Sequence, residues 1–256
     1  MKKQLATIVG LITLVAAIVA MQGRQLNELQ NKTFSEQELL RQDVARAGTL
    51  AIAQQFPTFG FDNLIANWFF LQFLQYFGDT PSRQQLGYAL SPEYFRVILP
   101  NDPFYRTFYI FMSGSVSNFA AQPEASVEMF SQGLAQMTPT FPKDSFYLWR
   151  YKGVDQLLFL GDGVAAQRSF QTSADWARQS SHPDAALIAE SSQQTADFLA
   201  NNPDSRLAQI NAWLSVLSNA FDDTTRQRTI ERIEALGGRI IPNADGGFSV
   251  QLPDED

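Results

Sequence analysis

The stretch "FDNLIANWFFLQFLQYFGD", residues 61–79, is the most apolar and aromatic part of the chain after its N-terminus. On a helical wheel, one sector is purely apolar and holds Ile65, Phe69, Phe70, Phe73, Tyr76 and Phe77. A membrane pass is disfavoured because 4 of the 16 residues between Asp62 and Asp79 are amides. Each unpaired amide in lipid would cost several kcal/mol. The stretch is therefore predicted to be a buried core helix, and an exposed binding surface and a membrane-interfacial helix remain as alternatives.

The N-terminus begins "MKKQLATIVGLITLVAAIVAMQGRQ" and is apolar for 17 residues, from Leu5 to Met21. As a helix this run spans about 26 Å, near the lower limit for a transmembrane segment. The sequence predicts a transmembrane anchor at residues 1–24, with a cleaved signal peptide and a soluble helix as alternatives. Lys2 and Lys3 predict a cytoplasmic N-terminus, a single-pass membrane protein and a body on the extracytoplasmic side.

Helix-start and helix-stop signals organise the rest of the chain. Residues 25–34 are predicted to be a linker, residues 35–237 a helical repeat domain, and residues 238–256 a short β-hairpin with an acidic tail. Ser35 and Glu38 form a capping-box pattern. The hairpin turn is assigned to Asp245-Gly246-Gly247. Helices are predicted at about residues 35–55, 61–78, 102–119, 123–137, 144–160, 163–179, 184–201, 204–220 and 224–236, with further starts at Asp79 and Ser91.

Composition and charge exclude several functional classes. The net charge is −7, and removing Lys2, Lys3 and Arg24 leaves −10 on residues 25–256. Such an acidic body argues against a nucleic-acid partner. The chain has no Cys and one histidine, His182, so thiol, triad and zinc chemistry lack their residues. No catalytic residue, cofactor or metal is predicted, and the chain is interpreted as not an enzyme. A hydrolase using two carboxylates stays as a minor alternative.

Two helix pairs resemble each other in sequence. "DPFYRTFY" begins at Asp102 and "DSFYLWRY" at Asp144, an offset of 42. The second helices share a small-aromatic-small pattern, which lets two helices approach closely at the small residues. That pattern is Ser126, Phe130 and Gly133 in one helix and Ala166, Phe170 and Ser173 in the other.

This pattern resembles the tetratricopeptide repeat, although the period is longer and the Trp-x2-Leu-Gly-x2-Tyr signature is absent. Residues 66–78 also resemble a helix of membrane-anchored bacterial tetratricopeptide-like proteins, and the Gln-rich, Lys-poor style resembles cyanobacterial members. The fold class is thus predicted to be all-α: an N-terminal transmembrane helix, a tetratricopeptide-like hairpin-repeat solenoid and a short C-terminal β-hairpin. The resemblance implies a scaffold or assembly role in an envelope or thylakoid membrane, facing the periplasm or the thylakoid lumen.

The leading functional hypothesis is a non-enzymatic scaffold, adaptor or assembly factor, bound to the membrane through its N-terminal helix and to proteins of a membrane complex. The alternative is an exported soluble binding protein with an aromatic-lined groove for a small or lipidic ligand. Aromatic residues and Arg are the usual interface anchors. The predicted protein-binding residues are Trp68, Tyr76, Tyr105, Tyr109, Tyr147, Trp149, Arg150 and Tyr151.

Overall fold

The computed structural model describes residues 14–15, 18–19, 21–23, 35–201, 206–218, 220, 222–242 and 248–252. The chain divides into two compact units, residues 1–41 and 42–256. In the first unit, residues 14–15, 18–19 and 21–23 are helical, and the capping box is confirmed because the backbone N–H and hydroxyl of Ser35 both donate to Glu38 Oε2 at 3.0 Å. The second unit holds the cores described below.

The described chain is mostly helical and carries one small antiparallel sheet. In chain order the elements are α1 (Glu36–Ala53), α2 (Asp62–Gly78), α3 (Thr80–Leu86), α4 (Ser91–Asn101), α5 (Arg106–Met112), a π-helical segment (Ser113–Phe119), α6 (Pro123–Leu134), α7 (Phe146–Leu158), α8 (Gly163–Gln179), α9 (Ala185–Asn201), α10 (Arg206–Ser218), α11 (Asp223–Ala235), β1 (Arg239–Pro242) and β2 (Phe248–Gln251). β1 pairs with β2 so that Arg239 lies opposite Gln251. The predicted turn at residues 245–247 lies outside the described residues.

Within the described ranges, none of the helices is both long enough and apolar enough to cross a membrane. The predicted transmembrane helix at residues 1–24 is contradicted by this finding, and so is the single-pass membrane topology that was built on it. Most of that segment, and the whole of the predicted linker at residues 25–34, lies outside the described residues.

The helix predicted over residues 102–119 is divided in the structure. Asp102 Oδ1 accepts the backbone N–H of Phe104 at 3.3 Å, a local bond that competes with helix formation. The regular helix α5 therefore begins only at Arg106, and after Met112 the chain continues as a π-helix. π-Helical turns are rare in proteins. This one places Ser113 and Ser117 beside a buried acid on α7, Asp155.

The largest core is built on α2. Phe69, Phe73 and Tyr76 are buried, and they pack against aromatic and aliphatic side chains of α4, α5 and α6. Phe73 lies at the centre, with ring centroids 4.7 Å from Phe95 and 5.8 Å from Tyr94. The apolar sector predicted for residues 61–79 is thus confirmed as a core face.

The helix pairs with related sequences form two hairpins. The π-helical segment packs against α6, and α7 packs against α8. All six residues of the small-aromatic-small pattern are buried. Gly133 of α6 lies against α5, where a Cβ at this position would lie 1.9 Å from the Tyr109 hydroxyl. Close packing at small residues is therefore confirmed.

The C-terminal helices return to the first hairpin. After α9, which packs on α8, α10 packs on α7 and on the π-helical segment. Trp213 of α10 is buried in a second core with Ile233 of α11 and Ala121. Arg228 of α11 donates to the carbonyls of Ala120 and Ala121 at 3.2 and 3.1 Å. These contacts join α11 to the connection before α6.

Candidate functional site

The exposed face of α2 is the most unusual surface of the described chain. Phe61, just before the helix, and Leu64, Trp68 and Leu71 within it follow each other at intervals of three, four and three residues, so they share one face. Their exposed fractions are 63, 66, 60 and 56%. Single exposed apolar residues are ordinary, but a row of four large ones marks an interaction site. We call these four residues the α2 stripe.

The surroundings of the α2 stripe are almost free of charge. Asp62 is the only charged residue between Arg46 and Asp79. The Thr58 hydroxyl donates to its carboxylate. Arg46 of α1 lines a pocket with Gln72 at the edge of this surface. A surface without clustered Lys and Arg does not attract nucleic acid or anionic lipid, and an apolar partner is the chemistry that it fits.

The end of α1 and its connection to α2 carry further exposed apolar side chains. Ile52 of α1 is 67% exposed, and Phe56 and Phe59 of the connection are 63 and 76% exposed. The Phe56 and Phe59 rings make an edge contact with centroids 6.3 Å apart. Phe59 has a φ of 53°, a conformation unfavourable for a bulky side chain. The chain thus presents an aromatic ring to solvent in a strained conformation.

The predicted binding residues fall into three groups. Trp68 belongs to the α2 stripe, and Tyr105 is 50% exposed with its ring against Phe108. Tyr76 and Tyr109 are buried core residues. The Tyr76 hydroxyl accepts the Leu90 N–H at 3.1 Å, and the Tyr109 hydroxyl donates to the Pro103 carbonyl at 2.9 Å. Burial raises the pKa of both phenols above the usual value. Neither ring is accessible to a partner.

The four predicted residues on α7 are half-buried and mostly serve the packing of neighbouring helices. Tyr147 donates to Asp184 Oδ2 at 3.0 Å, and its ring stacks on Tyr151. Arg150 donates to Ser192 Oγ at 2.9 Å. Trp149 makes an edge contact with the Trp176 ring, with centroids 5.6 Å apart. These residues tie α7 to α8 and α9, and Trp68 is the predicted residue that lies on the α2 stripe.

Phe61, Leu64 and Leu71 were not predicted as site residues. In the sequence these residues recur at intervals of three and four positions, on the side of α2 opposite its core sector. The spacing did not identify them as exposed because α2 is apolar on both faces, and a helix that is apolar all round is usually buried.

A second surface feature is a cleft of about 370 Å³ between the end of α1, α4 and α6. Its floor is apolar, with Phe95, Leu99 and Met129. Its other lining residues include three amides and two charged groups: Gln54, Gln132, Gln136, Arg96 and Glu128. An apolar floor with a few polar groups is the usual composition of a small-molecule site.

The buried acid Asp155 has three hydroxyl donors. Ser113, Ser117 and Ser126 donate to its carboxylate at 2.9, 2.7 and 2.6 Å. Burial raises the pKa of Asp155 to about 6, although the three hydroxyl donors oppose this shift. Among the residues that the structure describes, no group of three or more His, Asp or Glu could hold a metal ion. The arrangement joins the π-helical segment, α6 and α7.

The raised pKa of Asp155 predicts a pH-dependent stability. Between pH 4 and 6 the unfolded chain loses this proton before the folded chain does, so folding stability falls as the pH rises and then levels off above about pH 6. Raising the pKa of this carboxyl from 3.8 to about 6 corresponds to about 3 kcal/mol of folding free energy. We expect Asp155→Asn to remove this decrease in stability. Urea unfolding from pH 4 to 7.5 measures the free energy of unfolding of both proteins. If that free energy depends on pH in the same way in both, Asp155 is not the group responsible.

Comparison with protein-family models, with curated proteins and with solved structures finds no match. What can be said of function therefore comes from the surfaces described above. The described residues form helical hairpins with an exposed apolar face on α2 and an amphipathic cleft between the end of α1, α4 and α6.

Proposed function

We propose that this chain is a non-enzymatic interaction protein that binds an apolar helix of a protein partner on the α2 stripe. The observation that carries the proposal is the row of four large apolar side chains, each 56–66% exposed, at intervals of three, four and three residues. One helix presents this spacing when it packs along another helix. The hairpins behind α2 act as the rigid support, because the opposite face of α2 is buried in their core.

Trp68 is expected to contribute most to binding. Tryptophan is the residue type most enriched at interface hot spots, and Trp68 lies between Leu64 and Leu71 on the stripe. A hot spot contributes about 2 kcal/mol or more, which is about 30-fold in the dissociation constant. Trp68→Glu places a charge in the seam and should weaken binding by at least that factor. The CD spectrum should not change, because the side chain is 60% exposed.

The test is affinity purification of the tagged full chain, followed by reconstitution with the purified partner. Asn63→Glu is the matched control, since it introduces the same charge on the same helix at an exposed position off the stripe. We expect a stoichiometric partner with the wild type and with Asn63→Glu, and its loss with Trp68→Glu. A partner that binds all three proteins with equal affinity would show that it docks elsewhere.

The cleft of about 370 Å³ supports a second candidate function, the binding of a small amphipathic ligand. The supporting observation is the apolar floor formed by Phe95, Leu99 and Met129 beneath the amides. The two candidates are separable with the same variants. A ligand bound in the cleft would remain bound to Trp68→Glu, whereas a partner helix on the α2 stripe would be lost.

A further inference from the structure

The α2 stripe has the spacing of a helix–helix seam. Its four residues occupy successive a and d positions of a heptad repeat over two heptads. Gln75 follows at the next position and is also exposed, so the apolar part of the seam ends at Leu71. The surface that fits this seam best is a helix with an apolar row of the same length.

The stripe is complementary to itself when two copies of α2 lie antiparallel. In this register Phe61 of one copy faces Leu71 of the other, and Leu64 faces Trp68. A two-fold axis makes each of these pairs occur twice, as required for a closed dimer. Each aromatic ring then meets a leucine, and all four apolar residues of each stripe have an apolar partner. Gln75 falls beyond the seam, opposite the chain just before the second copy's helix.

The flanks of the stripe are also compatible with a second copy. Asn67 and Gln72 lie on either side of it, and an amide carries both a donor and an acceptor, so it can pair with another amide. A seam that selects a different protein commonly uses opposite charges at these flanking positions. Two chains of net charge −7 repel each other, but the two charged groups beside this surface are of opposite sign: Asp62 follows Phe61, and Arg46 lines a pocket with Gln72.

We propose that the partner helix of the α2 stripe is α2 of a second copy of this chain, packed antiparallel about a two-fold axis between Leu64 and Trp68. The inference rests on the proposed function, since it names the partner of the same surface. The seam has four residues from each copy and is smaller than a standard interface of about 800 Å² per partner. The expected dissociation constant is on the order of micromolar.

The first test is sedimentation equilibrium of the full chain from about 1 to 200 µM, in one detergent-free buffer for all variants. We expect a reversible dimer for the wild type and for Asn63→Glu, and a dissociation constant at least about 30-fold higher for Trp68→Glu. A wild-type chain that stays monomeric over this range would overturn the inference. Equal dimerisation of Trp68→Glu would also overturn it.

The second test fixes the direction of the two helices. The chain has no cysteine, so each introduced thiol is unique. Phe61→Cys and Leu71→Cys chains should cross-link under mild oxidation when they are mixed, and neither should do so alone, because in the antiparallel dimer two copies of residue 61 lie about 15 Å apart along the helix. Cross-linking of each variant with itself would show a parallel pair and overturn the inference.

The failure of this inference can be distinguished from failure of the proposed function. A monomeric wild-type chain that binds another protein in a Trp68-dependent manner would overturn the second copy as partner and support the α2 stripe as a docking surface. A monomeric chain with no Trp68-dependent partner would overturn both.

Discussion

Phe73→Ala is expected to lower the free energy of unfolding by about 3–5 kcal/mol, the range for removing a large aromatic side chain from a core. Phe73 is fully buried, and five other aromatic rings surround it. The ring centroids lie between 4.7 and 6.4 Å from those of Phe70, Phe77, Tyr94, Phe95 and Phe111. Truncation removes all of these contacts and leaves a cavity, because rings held by α4 and α5 cannot move in to fill it.

Leu71→Ala is the matched control for this prediction. Leu71 is two residues before Phe73 in the same helix, but it is 56% exposed on the α2 stripe. A surface substitution of this kind should change stability by about 0.5 kcal/mol. Urea unfolding followed by tryptophan fluorescence at about 0.05 µM, well below the expected dissociation constant, compares the two variants. A similar large loss for both would show that the stripe is part of a core.

The core face of α2 could be predicted from the sequence because its pattern needs no tertiary information. Ile65, Phe69 and Phe73 lie at helical spacing, and a helical wheel of residues 61–79 places them on a different side from the amides. The close hairpin contacts were also predictable. Small residues at Ser126 and Gly133 indicate a near approach of another helix wherever that helix lies.

The π-helical part of residues 102–119 could not be predicted because its serines bind a residue that is distant in the sequence. Ser113 and Ser117 belong to a π-helix that presents them to Asp155, which lies about 40 positions later in the chain. In the sequence these serines are only weak helix formers. The ion pair of Asp43 with Arg83 was likewise unpredictable because the two residues are far apart in the sequence. Ion pairs are predictable from sequence only between neighbouring turns of one helix.

The candidate site was predicted only at Trp68. The sequence shows which side chains are able to bind a partner, but exposure decides which of them are free to do so. Tyr76 and Tyr109 have the same interface chemistry as Trp68, and the fold places both in the core. The predicted N-terminal membrane helix depended on an apolar run alone, whereas the structure contains no membrane-spanning helix among the residues it describes.

Asp43→Ala is expected to lower the free energy of unfolding by about 3–5 kcal/mol, because it leaves a buried guanidinium without its counter-ion. The Arg83 side chain is 1% exposed and that of Asp43 17%. Two contacts join the groups: Arg83 Nη1 lies 2.9 Å from Asp43 Oδ2, and Arg83 Nη2 donates to Asp43 Oδ1 at 3.0 Å. Arg83 also donates to the Gly87 carbonyl at 2.7 Å and lies over the Tyr76 ring, 4.1 Å from its centroid. The guanidinium is therefore held in place and cannot turn to water when the carboxylate is removed.

The double variant Asp43→Leu with Arg83→Met separates charge burial from loss of packing. If the unpaired charge causes the loss, replacing both partners by apolar residues of similar size should restore stability to within about 1–2 kcal/mol of the wild type. The remaining deficit is expected from the Gly87 carbonyl, which loses its donor. Urea unfolding of the two variants and the wild type measures the difference. A double variant as unstable as Asp43→Ala would show that Arg83 stabilises the fold mainly through its hydrogen bond to Gly87 and its packing on Tyr76, and not through the ion pair.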